Sequence, residues 1–235
     1  MKLGIMQPYF FPYLEYFRLI SACDYWIGFD VIKYNRKSWM NRNRILNRDK
    51  GWSYVNVPIS RAEGPMTLRI AVINETEDWR RALFDKLRIY EPTAPHYRET
   101  VDVLRCILHR NFSNLSDLNM HIIQSLCDWL GIETRIERLS KLDLDLPEIC
   151  PPGEWALRIA QAVGADAYLN ASGGTALFDH DLYRAEGVTL SFHEHIDLTY
   201  DTGPFDFVPD LSIIDVLMWV DLDSIRRLIR GAKED

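Results

Sequence analysis

The sequence predicts an α/β protein of Rossmann-like type: a mostly parallel sheet flanked by helices, with a helical insertion at about 77–130. Three observations predict it. The chain opens with an apolar run at 3–6, an amphipathic stretch over about 12–22 and the segment DYWIGF at 24–29. A strand–helix–strand order of this kind builds a parallel pair with a right-handed crossover. Strand and helix patterns then keep alternating toward the C-terminus, as an α/β architecture requires. Finally, the 235 residues are 47% hydrophobic and show no internal repeat, low-complexity tract or long linker. One α/β domain over 1–235 follows, with enough apolar side chains for a substantial core.

The first run, at 3–6, reads as a central strand, and Gln7-Pro8-Tyr9 turns the chain into a helix over 12–22. Pro12 suits a first helical position, and Tyr13, Phe17 and Ile20 share one face at helical spacing. Residues 24–29 form the second strand. Segments 52–58 and 67–72 read as further strands, separated by the turn SRAEGP at 60–65. A helical block follows: 77–90, with Trp79, Leu83, Leu87 and Tyr90 as its apolar stripe, then a break with two prolines at 91–95. Helices over 97–109 and 115–130 complete the block, the second ended by Gly131. Beyond it lie a strand at 134–139, a helix at 151–163 ended by Gly164, strands at 167–170 and 188–192, and two short helices at 211–220 and 223–229.

Charge is distributed unevenly. The chain carries a net −7, yet residues 31–50 carry +6, leaving −13 for the rest. Lys33, Arg36, Lys37, Arg42, Arg44, Arg48 and Lys50 are opposed in that window by Asp49 alone. A local excess against the global sign points to holding an anion. The acidic body, with a pI near 5.4, argues against a nucleic-acid partner. No apolar run reaches the length of a membrane span, and Pro8 and Pro12 interrupt the N-terminal segment, unlike a secretory signal. A cytoplasmic protein is therefore expected. Cys23, Cys106, Cys127 and Cys150 form no CxxC pair, so buried free thiols are expected rather than a metal knuckle or redox motif.

The candidate site residues gather around the basic window. Lys37, Arg42 and Arg44 would grip a phosphate or carboxylate through charge-assisted, forked contacts. Gln7, Tyr9, Trp39 and Asn41 would orient the substrate, because the edge where a first strand turns into a helix is where ligands bind open parallel sheets. If residues 41–44 are extended, Arg42 and Arg44 face one way and Asn41 and Asn43 the other. Both faces are then polar, which fits the rim of a cleft. Asp30, at the end of the second strand, and Tyr34 are the candidates for taking a proton from an attacking amine. In ASGGT (171–175), Gly173 and Gly174 would bring backbone amides to an anion. His193 and His195 alternate on one face of a strand, but two ligands do not make a metal site, and none is assigned. Asp215, in the apolar stretch LSIIDVLMWV, would need a cationic partner if buried, and an arginine of the basic window is expected. No GxSxG, Walker or GxGxxG motif is present, and no cofactor is assigned.

MQPYFFPYLEYFRLI, the stretch from Tyr34 to Ile45 ending in WMNRNRI, YLNASGGTALF and FVPDLSIIDVL together resemble the WbqC-like proteins over nearly the whole chain. The resemblance implies a bacterial cytoplasmic protein of surface-polysaccharide assembly, of the O-antigen type. It also implies a transferase attaching an aminoacyl group, such as glycyl, to a nucleotide-linked amino sugar, with an acyl carrier as donor. Residues matching the family's recurrent positions are Gln7, Pro8, Tyr9, Tyr13, Asp30, Tyr34, Lys37, Trp39, Asn41, Arg42, Asn170, Gly173, Gly174, Ser212 and Asp215. The chain departs at Glu15, where glycine is expected, and at Val31, where a second aspartate is expected beside Asp30. A fainter similarity to the nucleotidyltransferase and pantothenate-synthetase superfamily lies in the strand–turn–helix opening. There Tyr13 and Tyr16 stand at the HxGH spacing without a histidine. Nucleotidyl transfer and a non-catalytic binding role are the alternative functions.

Overall fold

A computed structural model describes residues 1–61 and 64–231; the turn expected at 60–65 thus includes two residues, 62 and 63, outside the described ones. In chain order the elements are β1 (Lys2–Met6), α1 (Leu14–Ser21), β2 (Tyr25–Gly28), β3 (Arg42–Asn47), β4 (Gly51–Asn56), α2 (Trp79–Leu87), α3 (Tyr97–Leu108) and α4 (Leu115–Leu130). Then come β5 (Arg135–Arg138), α5 (Trp155–Ala162), β6 (Ala167–Ala171), α6 (His180–Ala185), β7 (Thr189–His193), α7 (Ile213–Trp219) and α8 (Leu222–Gly231). Five strands form one parallel sheet in the order β5-β2-β1-β6-β7, and β3 and β4 pair separately as an antiparallel hairpin.

The alternation of side chains along a strand divides the core between the two faces of this sheet. Leu3 and Ile5 of β1, with Tyr25 and Ile27 of β2, pack against Leu157, Ile159 and Ala160 of α5. Trp26 points the other way, into the larger core built by α1, the α2–α4 block, the hairpin, α7 and α8. Close approach on that face depends on Gly28. A Cβ there would lie 2.5 Å from Met120 Sδ and 3.1 Å from Pro8 Cγ, so a side chain at the end of β2 would displace the Met120 side chain and crowd the Pro8 ring. The block at 77–130 is helical as expected, and Gly131 ends α4 in the left-handed region at φ +76°.

Several expectations are corrected. Residues 67–72 form no strand: a 3₁₀ turn at Leu68–Ile70 lies between isolated bridges at Thr67 and Val72. Leu68 and Ala71 are buried while Ile70 and Val72 remain about half exposed, so burial does not alternate as along a strand and the run has no continuous ladder. The helix α6 was not expected; it is short and polar, and starts where the Asp179 carboxylate accepts from the backbone N–H groups of Asp181 and Leu182. The cysteines divide, with Cys23 and Cys127 buried, Cys150 intermediate and Cys106 exposed. Burial pushes the Cys23 thiol up to about 12.

Asp215 is fully buried, but its partners are not arginines. Tyr90 Oη donates to Oδ1 at 2.6 Å and Tyr200 Oη to Oδ2 at 2.6 Å. Tyr90 Oη in turn accepts from the Leu46 backbone N–H at 2.9 Å. Two phenols satisfy the carboxyl oxygens without supplying charge, and one network thereby joins α7, the helical block and β3. Desolvation raises the Asp215 pKa from 3.8 to about 6, outweighing the two phenol hydrogen bonds that lower it. The folded state therefore binds a proton that the unfolded chain has released, and stability falls as pH rises from about 4 through 6, then levels. The full difference is on the order of 3 kcal/mol. Urea unfolding of the native protein and Asp215→Asn across this range checks it. The stability of the variant relative to the native protein rises with pH up to about 6; a flat difference contradicts the assignment.

Candidate functional site

From β1 the chain steps outward to β2 and β5 on one side, then returns to place β6 on the other. The strand order thus reverses between β1 and β6, and a crevice opens at their carboxyl ends, as open α/β sheets lead one to expect. It holds about 390 Å³, and Met6 and Ala171 mark the two strand ends in its wall. The cleft expected where the first strand turns toward its helix thus lies between β1 and β6. The order β5-β2-β1 continues without reversal on the other side.

The loop from Gln7 to Tyr13 forms one wall, and buried amides hold it. Asn119 of α4 donates from Nδ2 to Pro8 O at 2.8 Å and Met40 O at 2.7 Å. Asn43 of β3 donates from Nδ2 to Phe10 O at 3.1 Å and Phe11 O at 2.7 Å. Ser212 Oγ donates to Phe11 O at 2.8 Å, and Tyr16 Oη to Gln7 O at 2.8 Å. The Phe10 N–H donates to Trp39 O at 3.0 Å. Among the described residues, Phe11 (φ +42°) and Asp210 (φ +54°) are the non-glycine residues with a left-handed backbone. Both border the crevice segments, and such a conformation persists only where its surroundings enforce it.

The hairpin forms the opposite wall. As the alternation at 41–44 implies, Asn41 and Asn43 turn inward and are buried, while Arg42 and Arg44 turn outward over the aromatic side chains of the hairpin. The Arg44 guanidinium lies 5.5 Å from the Trp39 ring and 5.4 Å from the Trp52 ring. Its Nη2 donates to Asp210 O at 3.0 Å and Pro209 O at 3.4 Å. The cation is thus positioned by carbonyl oxygens and indole faces, which leave its charge for a ligand. Trp39, about one-third exposed, presents a flat face in the same wall.

The structure brings Tyr9, Trp39 and Arg44 together in this crevice, with Tyr13, Asn43, His195 and Asp210. The other expected residues lie elsewhere. Arg42 stacks 4.2 Å over Tyr54 and, with Asn41, lines a neighbouring cavity that also receives Arg36 and Arg61. Asn41 Nδ2 donates to Val57 O at 2.9 Å and ties the hairpin down. Gln7 Oε1 accepts from Tyr9 Oη at 3.3 Å. Lys37 is exposed, and its carbonyl accepts from Arg42 Nη2 at 2.7 Å. Gly173 and Gly174 fall in a 3₁₀ helix at Ser172–Leu177, where a Cβ at Gly174 would lie 2.5 Å from Asn170 Nδ2. That glycine serves packing, whereas nothing crowds Gly173.

Neither expected proton acceptor reaches the crevice. Asp30 is fully buried; Oδ1 accepts from the Ser140 N–H at 3.0 Å, and Oδ2 from Ser140 Oγ at 2.6 Å and Ser116 Oγ at 3.0 Å. A carboxylate saturated in this way cross-links β2, α4 and the segment after β5. Val31 joins the apolar core under α5. Tyr34 is half-buried, its amide donates to Met66 O at 2.7 Å, and desolvation raises its pKa, which disfavours the phenolate a base would need. Glu15 has a specific role in place of the expected glycine: its carboxylate is buried against Arg18 Nη1 at 2.8 Å and lies 3.5 Å from His193 Nε2. His193 and His195 therefore engage different partners. His195 Nε2 lies 3.1 Å from Asp210 Oδ1, an arrangement that the fourteen intervening residues conceal.

The profile of the WbqC-like protein family matches residues 7–227, which takes in both walls of the crevice. The chain belongs to the WbqC-like protein family. It is similar to an uncharacterized protein of Mycobacterium tuberculosis, with 27% identity over 228 residues and 95% of each chain covered. No solved structure matches it significantly. Among the described residues no helix is long and apolar enough to cross a membrane. In this WbqC-like chain the loop wall stands on the Asn43 amide. Asn43→Ala is expected to lose about 1–3 kcal/mol of stability by orphaning the Phe10 carbonyl and removing one of the two donors to Phe11 O, measured by chemical denaturation. An unchanged stability removes the clamp.

Proposed function

We propose that the crevice between β1 and β6 binds a nucleotide-linked amino sugar, and that the protein transfers an aminoacyl group such as glycyl to its amine during assembly of a bacterial surface polysaccharide. The observation that supports this most is the Arg44 guanidinium, held over Trp39 and Trp52 by two carbonyls at the reversal point of the sheet. A fixed guanidinium suits a phosphate, and the exposed indole beside it suits the face of a sugar or base. Tyr9 and Tyr13 add half-buried phenols on the facing loop. The donor would be an activated acyl thioester on a carrier, approaching from solvent. The match to the WbqC-like family supports the same reading.

Thermal unfolding with and without UDP-glucosamine tests it. Binding at about 100-fold excess over the dissociation constant stabilises the folded state by about 2.7 kcal/mol, a rise in Tm of several degrees. Arg44→Ala abolishes that rise, whereas Arg42→Ala, in the neighbouring cavity, retains it. Equal shifts in the native protein and Arg44→Ala reject the crevice as the site.

A further inference from the structure

Building on that reading of the crevice, we infer that His195 and Asp210 form its proton-transfer pair, with His195 as the catalytic residue and Asp210 positioning it. Both side chains line the crevice and also an adjoining cavity of about 420 Å³ on the far side of Tyr13. The pair therefore stands where two cavities meet, each large enough for part of a small substrate. An acceptor over Arg44 and a donor entering past Tyr200 and Phe207 would meet at this boundary.

Three features set the pair apart from a surface contact. His195 Nε2 and Asp210 Oδ1 are 3.1 Å apart and partly exposed, about 40% and 46%; the imidazole is thus both oriented and reachable. The aspartate sits at φ +54°, in the left-handed region that few residues other than glycine, asparagine and aspartate adopt, and its surroundings hold it there. They do so at its own carbonyl, through the Arg44 Nη2 bond at 3.0 Å, and two residues on, where the Ser212 N–H donates to Arg44 O at 2.9 Å. The residue that would hold the substrate's phosphate thereby also fixes the carboxylate that orients the histidine. With Nε2–H donated to Asp210, Nδ1 is the nitrogen that takes a proton.

In the transfer, the unprotonated amine of the sugar forms a bond to the thioester carbonyl carbon. The carbon–sulfur bond breaks, and the sulfur leaves with the bonding pair. The proton lost by the amine passes to His195 Nδ1 and from there to the departing thiolate, so amine and thioester become amide and thiol with no change in oxidation state. Asp210 stabilises the imidazolium between these steps.

The test uses the full chain with UDP-glucosamine as acceptor and the glycyl thioester of N-acetylcysteamine as donor, alongside the thermal shift given by the acceptor alone. In His195→Gln and Asp210→Asn the shift and the acceptor KM stay as in the native protein, while kcat falls by about 10²–10⁴-fold. Asparagine tolerates a left-handed backbone, so Asp210→Asn removes the charge and keeps the turn. Added imidazole restores turnover to His195→Ala, which a purely structural histidine would not allow. If either variant keeps kcat within about threefold, or if the native protein shows the shift but transfers no glycyl group, the pair is not the proton-transfer device, although the crevice still binds the sugar nucleotide. Absence of the shift in the native protein overturns the binding reading itself, and this pair's role with it.

Discussion

Everything at the crevice depends on how the carbonyls of the loop after β1 are satisfied. Between Pro8 and Pro12 the chain runs through the interior, where water cannot serve its backbone, and an unpaired carbonyl there would cost about 1–3 kcal/mol. Asn119, Asn43 and Ser212 supply the donors, and they come from α4, β3 and the start of α7. Three elements distant in sequence are thus bound to one loop. The hairpin is held to the sheet in the same way, although no strand of that sheet pairs with it. Two prolines, Pro8 and Pro12, and the two phenylalanines between them give the loop its shape, but the amides fix where that shape sits.

The other buried carboxylates do comparable work away from the crevice. Asp30 gathers two serine hydroxyls and a backbone amide at the end of β2, and Asp215 gathers two phenols under α7. Neither is available to a substrate. Asp30 and Asp215 are thus saturated and structural, in contrast to a second group of residues that keep exposed chemistry. The second group, Arg44, Trp39, Tyr9, His195 and Asp210, is found around the reversal point of the sheet. A left-handed turn at Asp210 and another at Phe11 border it from both loops. Strain concentrated there has a physical reading: the tertiary bonds that enforce it also preorganise the wall.

The sheet was largely legible in the sequence, because buried parallel strands such as β1, β2 and β6 are short apolar runs, and α3 and α4 carry strong 3.6-residue periodicity. The run at 67–72 misled for the same reason, being apolar but with only Leu68 and Ala71 buried and no ladder to pair with. β3 was readable only as a polar stretch, since its first half, Arg42–Arg44, is polar and buries only the Asn43 amide, and its aliphatic anchors are just Ile45 and Leu46. At the site, Arg44, Trp39 and Tyr9 were visible through charge and aromatic content. Asp30 and Asp215 also stood out, as acids in apolar surroundings, but that signal marks burial and does not distinguish a base from a cross-link. Asp210 gave no local signal. Its importance arises from a tertiary contact with His195 and from a backbone angle, and neither leaves a spacing to read. Glu15 was visible as a departure, and only the buried Arg18 and His193 explain how a carboxylate is accommodated there.

A clamp of this kind makes the crevice preformed rather than assembled by its ligand, and native-state hydrogen exchange measures that directly. The amides of Phe10, Ser212 and Ile213 donate to Trp39, Arg44 and Pro12 carbonyls within the clamped segments. In the ligand-free protein they should exchange as slowly as amides of the central strands β1 and β2, through opening close to global unfolding. Exchange at the rate of an open loop, with protection appearing only when a ligand is added, would contradict a wall held in place by buried asparagines.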